Sequence, residues 1–491
     1  MSYILGIDQG TSGTKALLFD RQGKPVARGS AVLKTSYLAN GFVEQEPAAI
    51  YQNVLAAVGQ CVDVFLAAGG QPGEIEVCGL SNQRETFVLW DKAGTPLCNA
   101  VVWQCKRSVD ICNRWKEAGY DNLIRSRTGL LIDPYFSGSK LVWLYENDAN
   151  VRGRIDAGEA YFGTVDTWLL YCLTNGARYY TDYTNASRTL FFHLKGLHWD
   201  RELLQTFGLA GLNLPMLKPS SWSFGETDFD GLLPAPIRIT GMIGDSHAAA
   251  FGEGCFAPGE AKATLGTGCS ILMNTGTQCM DSRNGMVSTI CWSTSETVQY
   301  ALEGVIVTCG GTLEWLKNEL QLFTDSRQTE EMARAVKDNG GVYLIPAFSG
   351  LGAPHWQMDR KASIAGLTFG SGKNHIIRAA LESIPYQIKD VLLAMESDMG
   401  IGMTRLMVDG GISANTFVTQ FLADLLQKEV VTIGQPDISA LGAAYMAGLS
   451  AGLFTDVDSL RTLNSEKKVF TPGAEVAGYY EGWRDAVRCR Q

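Results

Sequence analysis

The sequence predicts an α/β fold duplicated into two domains, residues 1–252 and 253–491, with a ligand held in the cleft between them. Three observations carry this. At 491 residues the chain exceeds what one hydrophobic core organises. Short apolar strands alternate with long amphipathic helical stretches, the pattern of a mixed or α/β architecture. And the strand–turn–strand pattern of Ile7-Asp8-Gln9-Gly10-Thr11-Ser12-Gly13-Thr14 returns in the second half, where Gly259 to Leu265 runs through Gly266-Thr267-Gly268 into Cys269-Ser270-Ile271-Leu272-Met273.

In order along the chain, Tyr3–Asp8 is apolar and β-prone, Gln9–Gly13 is turn chemistry, and Lys15–Asp20 is a second strand. Gln22-Gly23-Lys24-Pro25 then turns into a third strand over Val26–Val32. Pro47–Ala67 carries Ile50, Val54, Ala57 and Val58 at helical spacing. Glu74–Leu80 returns to strand and ends in Ser81-Asn82-Gln83-Arg84-Glu85. Further on, the apolar run Ile237–Ile243 delivers Asp245 onto a glycine turn, followed by the small residues of a closely packed helix. A carboxylate at a strand's carboxyl end lies where open α/β sheets bind ligands, although Asp before a helix is also an ordinary cap. Gly252–Pro258 reads as the domain boundary and hinge. Leu406–Asn415 is a strand, a Gly410-Gly411 turn and the start of a helix, a place where backbone approaches a flat or anionic ligand closely, or where helix and strand simply pack tightly.

Composition narrows the function classes. Hydrophobic residues make up 46% and charged ones 19%, as in a folded soluble protein. A net charge of −10 without a dense Lys/Arg cluster argues against nucleic acid as a partner. The first eight residues lack a basic n-region and reach a carboxylate at Asp8, which argues against a signal peptide. No apolar run reads as long enough to cross a bilayer, so no membrane partner is expected. The 12 cysteines are scattered without a CxxC pair and the 5 histidines lack metal-ligand spacing, which suggests a reduced, cytoplasmic protein without structural zinc.

Hydroxyl- and glycine-rich hairpins suit phosphate oxygens, and with no GxxxxGK[ST] the chain is not a P-loop protein. Phosphoryl transfer needs a metal bridging the phosphates, donors to hold them and a carboxylate for the acceptor proton. Asp8 is placed to hold Mg²⁺ through water. Thr11, Ser12, Gly13 and Lys15 are candidate phosphate contacts, and Asp245 a candidate base for the acceptor hydroxyl. Asp8 as a turn former and Lys15 as a solvated strand residue are the plainer alternatives. Arg84 and Glu85 offer a donor and an acceptor to neighbouring hydroxyls of a polyol, or form a surface ion pair of small worth. Trp103 and Tyr135 offer faces to its carbon backbone, or belong to the core.

Collinear segments give these residues a context. They are Asp8 to Lys15, Ser81 to Thr86, Phe162 to Trp168, Thr181 to Arg188, Gly266 to Cys269, Ser349 to Pro354, Asp409-Gly410-Gly411 with Asn415, and Ala440 to Tyr445. Through them the chain resembles the FGGY carbohydrate kinases, nearest their glycerol-kinase branch, over essentially its whole length. The resemblance implies an actin-like, ribonuclease-H-like ATPase fold in two domains, binding ATP and a polyol between them. It implies Asp245 as general base and Asp8 for magnesium, and sets Arg84, Glu85, Trp103 and Tyr135 at the polyol. It sets Thr267, Gly310, Gly311, Gly411 and Asn415 at ATP, and implies a homo-oligomer, dimer or tetramer.

Two departures bear on the acceptor. Where that branch carries a glutamine after the catalytic aspartate stands Ser246, and where it carries an aromatic after Gly266-Thr267-Gly268-Cys269 stands Ser270. A larger, more polar pocket is expected, suited to glycerol or to a longer polyol such as erythritol, with a ketose (xylulose or ribulose) as the rival substrate. His247 is expected to pack rather than to bind. Gly231–Pro236 lacks the Gly- and Arg-containing loop of sugar-phosphate-regulated relatives, so feedback by a sugar bisphosphate is not expected. An actin- or chaperone-like nucleotide switch is the more distant rival, and it would lack a small acceptor.

Overall fold

The computed structural model describes residues 2–357, 359–434, 437–463 and 467–489. Strands Tyr3–Gly10, Gly13–Phe19 and Pro25–Val32 form the antiparallel meander that their alternation predicts. Pairing runs through Gly10 and Gly13, so only Thr11 and Ser12 form the hairpin tip, a shorter turn than the sequence suggests. Ile75–Asn82 joins parallel to the first strand, Ile237–Gly244 joins parallel to that, and Ser221–Thr227 closes the edge antiparallel.

A seven-stranded sheet repeats the plan. Glu260–Leu265 and Cys269–Gly276 form the hairpin, and Val298–Ile306 and Val287–Ser293 extend it antiparallel. Arg405–Asp409 and Val430–Ile433 then add in parallel, and Lys467–Phe470 closes the edge antiparallel. Both sheets thus share one order: an antiparallel meander, two parallel strands, an antiparallel edge. The internal echo in the sequence is a duplication of pairing, beyond a recurrence of glycine turns.

Helix Pro47–Ala67 opens on a proline at its first turn and buries Ile50, Val54, Ala57, Val58 and Cys61 against the first meander. Contrary to the sequence expectation, this helix is long and apolar enough to cross a bilayer by length and composition. Its solvent face is polar through Gln52 and Gln60, with Asp63 as its one charge, so its amphipathicity is easily missed. Here that apolar face lies on the sheet.

A smaller five-stranded sheet includes Phe87–Trp90, Ala100–Val101 and Tyr161–Thr164 and builds a separate lobe with its own core. Between the two large sheets run helices Asp245–Gly252 and Ile438–Ser450, embedded in a shared core with Ile4, Val77, Leu272 and Met407. The second helix lies across a row of glycines. Gly6, Gly79 and Gly241 are register partners on three adjacent strands. A Cβ on them would stand 2.2 Å from the Ala440 carbonyl, 2.0 Å from the Ala443 carbonyl and 2.7 Å from the Ala447 nitrogen. Only glycine lets the helix backbone come so close. A helix late in the chain is thereby seated on the first sheet, and the cleft opens at the strands' carboxyl ends beside it.

Candidate active site

Parallel register aligns the ends of three strands: Asp8 pairs with Ser81, and Gln9 and Gly244 both pair with Asn82. Asp8 and Asp245 are therefore delivered to the same end of the sheet, with the strand ending at Asn82 between them. The Ser81 hydroxyl donates to Asp8 Oδ1 at 2.9 Å. Burial and then the Asp245 charge push the Asp8 carboxyl up to about 6. Asp245 opens its helix with its side chain 38% exposed. Its Oδ1 accepts from Arg84 Nε at 3.0 Å and from the Ser246 backbone N–H at 2.6 Å. Among the described residues no hydrogen bond reaches Oδ2, and the side chain is partly open to solvent.

The strand end itself is propped from behind. The Asp182 carboxylate accepts from the backbone N–H groups of Thr184 and Asn185, the Thr184 hydroxyl accepts from the Gly244 N–H at 2.9 Å, and Asn185 and Asn82 exchange side-chain hydrogen bonds.

Arg84 and Glu85 are not the surface ion pair that their adjacency allows. Both are buried, and they point to different partners. Arg84 Nη1 meets Glu303 Oε1 at 2.9 Å, Glu303 Oε2 lies 2.6 Å from Arg188 Nη1, and Arg188 Nε meets Glu85 Oε1 at 2.6 Å. Three carboxylates and two guanidiniums thus alternate from Asp245 to Glu85. Glu85 sits at φ 61°, a left-handed conformation unusual for a non-glycine residue and typical of sites where strain sets side-chain direction. Burial alone would raise Glu303, but Arg188 and Arg84 hold it well below the usual carboxylate range, whereas burial leaves Glu85 raised. Sequence reasoning missed Glu303 and gave Arg188 no role. Glu303 lies mid-strand and carries no local signal.

Trp103 and Tyr135 come together edge to face, 5.5 Å between ring centres, and the turn that carries Tyr135 is anchored by Lys140. Fully buried, Lys140 donates to the carbonyls of Pro134, Tyr135 and Phe136 at 2.7–2.9 Å. Trp103 Nε1 donates to the Thr11 hydroxyl, which itself donates to Gln83. The Thr11 hydroxyl thus joins the hairpin to the aromatic wall. Lys15, expected at phosphate, pairs with Asp437 at 2.8 Å, ahead of helix Ile438–Ser450, and remains half-exposed. Ser12 is exposed at the hairpin tip, and Gly13 follows it.

The two serines do not simply vacate space. Ser246 Oγ and Ser270 Oγ lie 3.2 Å apart, Lys262 Nζ reaches Ser246 Oγ at 3.1 Å, and Ser270 donates to Glu303 Oε1 at 3.2 Å. Lys262 was not foreseen. His247 is buried and held by burial and Arg84 well below the usual imidazole range, so it is neutral and packed.

Across the cleft a cavity of 430 Å³ is lined by Gly266, Thr267, Gly310, Gly411 and Asn415, together with Leu313, Ser326, Arg327 and Glu330. Four expected nucleotide residues therefore meet there. Gly311 is not in its wall; its N–H donates to the Thr267 carbonyl, as that of Gly310 does to Gly266. The Asn415 side-chain oxygen caps helix Thr416–Leu426, and Gly410 at φ 88° approaches Leu265 so closely that a Cβ would stand 2.4 Å from its carbonyl.

Comparison with known proteins matches this architecture. Residues 3–252 match the N-terminal domain of the FGGY family of carbohydrate kinases, and residues 261–451 its C-terminal domain. A glycerol kinase of Desulfitobacterium hafniense is 44% identical over 490 residues, 99% of each chain. One of Shewanella amazonensis is 45% identical over 99% of this chain and 98% of its own. The crystal structure of Plasmodium falciparum glycerol kinase with ADP superposes with a TM-score of 0.93 at 33% identity, covering 100% of this chain and 99% of that one. A ligand-bound xylulose kinase from Lactobacillus acidophilus shares the fold with a TM-score of 0.89 at 22% identity, over 99% and 98% of the two chains. With both family domains matched in order and relatives aligned end to end, the chain belongs to the FGGY family of carbohydrate kinases.

Proposed function

We propose that this protein transfers the γ-phosphoryl group of ATP to a terminal hydroxyl of a small polyol, glycerol among them, with Asp245 as the general base. The observation that carries the reading is the state of Asp245: one oxygen is pinned by Arg84 and the Ser246 N–H, and the other takes no hydrogen bond among the described residues on a partly exposed side chain. A carboxylate fixed in this way orients an acceptor hydroxyl and takes its proton as the O–P bond forms. The glycerol kinases named above, alike over the whole chain, support glycerol as acceptor.

Arg84 and Glu85 would hold neighbouring hydroxyls, with the edge-to-face pair of Trp103 and Tyr135 along the carbon backbone. The nucleotide would lie in the cavity of Thr267, Gly310, Gly411 and Asn415, its phosphates directed toward Ser12 and Gly13. Asp8 suits a hydrated Mg²⁺: two carboxylates crowd at the strand ends, and a divalent cation relieves the repulsion that raises Asp8. Mg²⁺ bound with the nucleotide would neutralise charge on the transferring group. All twelve cysteines are free thiols, in keeping with a cytoplasmic enzyme.

The test is ADP release with ATP, Mg²⁺ and glycerol. Glycerol is expected to stimulate release, and Asp245→Asn to lower kcat roughly a hundred- to ten-thousand-fold. Full turnover in Asp245→Asn, or release indifferent to any polyol, overturns the reading.

A further inference from the structure

Hydrogen-bond direction around the two serines is fully determined. A lysine ammonium has only hydrogens to give, so Lys262 donates to Ser246 Oγ and to Thr264 Oγ1. A carboxylate can only accept, so the Ser270 hydrogen goes to Glu303. With that hydrogen committed, the contact between the serines must run from Ser246 to Ser270. The wire is Lys262 → Ser246 → Ser270 → Glu303. Lys262 and Glu303 are wholly buried at its ends, while the two serines between them stay partly exposed beside Asp245. Each serine has then spent its one hydrogen and accepted one, leaving a single lone pair. Toward the cleft both hydroxyls are acceptors only.

We propose that Ser246 and Ser270 form a subsite for an acceptor carbon beyond the third, and that Lys262 and Glu303 orient it to receive an alcohol O–H and to refuse a carbonyl oxygen. This rests on the polyol kinase reading and deepens it: the preferred longer acceptor is an alditol of four or more carbons, and a ketose of five or more, whose carbonyl falls fourth from the reacting end, is disfavoured. A carbonyl oxygen there would set lone pair against lone pair and leave both desolvated, which sites built for a hydroxyl punish heavily.

Xylitol and xylulose differ at one carbon, CHOH against C=O, and phosphorylation at the terminus farther from it makes that carbon the fourth, which is the test. In the unaltered protein kcat/KM for xylitol is expected to exceed that for xylulose at least about tenfold. Ser270→Ala and Ser246→Ala are each expected to bring that ratio within about threefold of unity, since each removes one of the oriented acceptors. Lys262→Met removes the donor that fixes the Ser246 rotor, so that its hydrogen can leave Ser270 for a carbonyl, and is expected to narrow the ratio likewise. Should that variant fail to fold, the serine variants decide. A ratio near unity in the unaltered protein, or one that both serine variants leave unchanged, overturns the subsite. Phosphorylation of glycerol in either case shows that only this inference has failed. Absence of phosphorylation with every acceptor, glycerol included, overturns the kinase reading and the subsite with it.

Discussion

Arg188 is the residue on which the acceptor side turns. Its guanidinium stands between two buried carboxylates, Glu85 and Glu303, each at 2.6 Å. Remove it and the two negative charges share one cation, Arg84, in a medium that screens poorly. Breaking a buried ion pair from one side costs about 3–5 kcal/mol, because the remaining charge is stranded. Arg188→Met is therefore expected to lower unfolding free energy by that amount in denaturant titration. Glu85, released from its left-handed perch, would also lose its aim, so KM for glycerol should rise severalfold or more. An Arg188→Met protein with unchanged stability and KM would show the network to be ornamental. Lys140 plays a similar part for the aromatic wall. Lys140→Met would strand three carbonyls in the turn of Tyr135, a loss of about 1–3 kcal/mol for each left unsatisfied. The expected readout is a lowered melting temperature together with a raised glycerol KM.

At the scale of elements, what was legible in the sequence is what short-range chemistry encodes. The hairpin Asp8–Lys15, the helix from Pro47 and the Asp245 strand end are written in alternation, turn residues and periodicity, and the structure returns them nearly residue for residue. Asp8 and Asp245 could be placed at strand ends but not at the same end of one sheet, since strand order is a tertiary fact. Glu303 and Lys262 were invisible for the same reason, since Arg84, Arg188 and Ser246 reach them from elsewhere in the chain, while Lys140 bonds its own turn without any motif to mark it. The helix Ile438–Ser450 is the clearest case. Its small residues Ala440, Ala443 and Ala447 and the strand glycines Gly6, Gly79 and Gly241 are each unremarkable, and only the fold matches one row to the other. Gly79→Ala puts a methyl 2.0 Å from the Ala443 carbonyl, backbone that cannot swing aside. The helix must lift, at a cost of about 1–3 kcal/mol for overpacking. Because the same helix packs on the Asp245 helix, kcat is expected to fall along with stability. Gly73→Ala, at a position with open space around its Cβ, is the control and should do neither.

For the whole molecule, the buried acids beneath the cleft set how stability answers to pH. Asp166 is fully buried and accepts from the Thr164 hydroxyl at 2.6 Å and the Thr181 hydroxyl at 2.7 Å. Burial, then the neighbouring Asp182 charge, raises it to about 7. Asp182 keeps the strand end of Gly244 in place through Thr184, so the pair underlies the geometry of Asp245 as well as the fold. The sign follows from linkage. Below the unfolded-state value, 3.8, both states hold the proton and the contribution of Asp166 is complete. Between 3.8 and about 7 the unfolded chain has released the proton and the native state still retains it, so stability falls as pH rises, by about 1.4 kcal/mol per unit. Above about 7 the native carboxylate is ionised too and the loss levels off, on the order of 4 kcal/mol in all. Asp166→Asn keeps the shape and removes the titration. The amide forfeits part of one hydrogen bond, but that penalty is the same at every pH and cancels in the slope. Denaturant unfolding of both proteins from pH 5 to pH 8 should therefore show the variant gaining on the parent by a few kcal/mol as pH rises. Parallel curves across that window would mean that Asp166 is ionised in the native state throughout, and that the hydroxyls of Thr164 and Thr181 outweigh its burial.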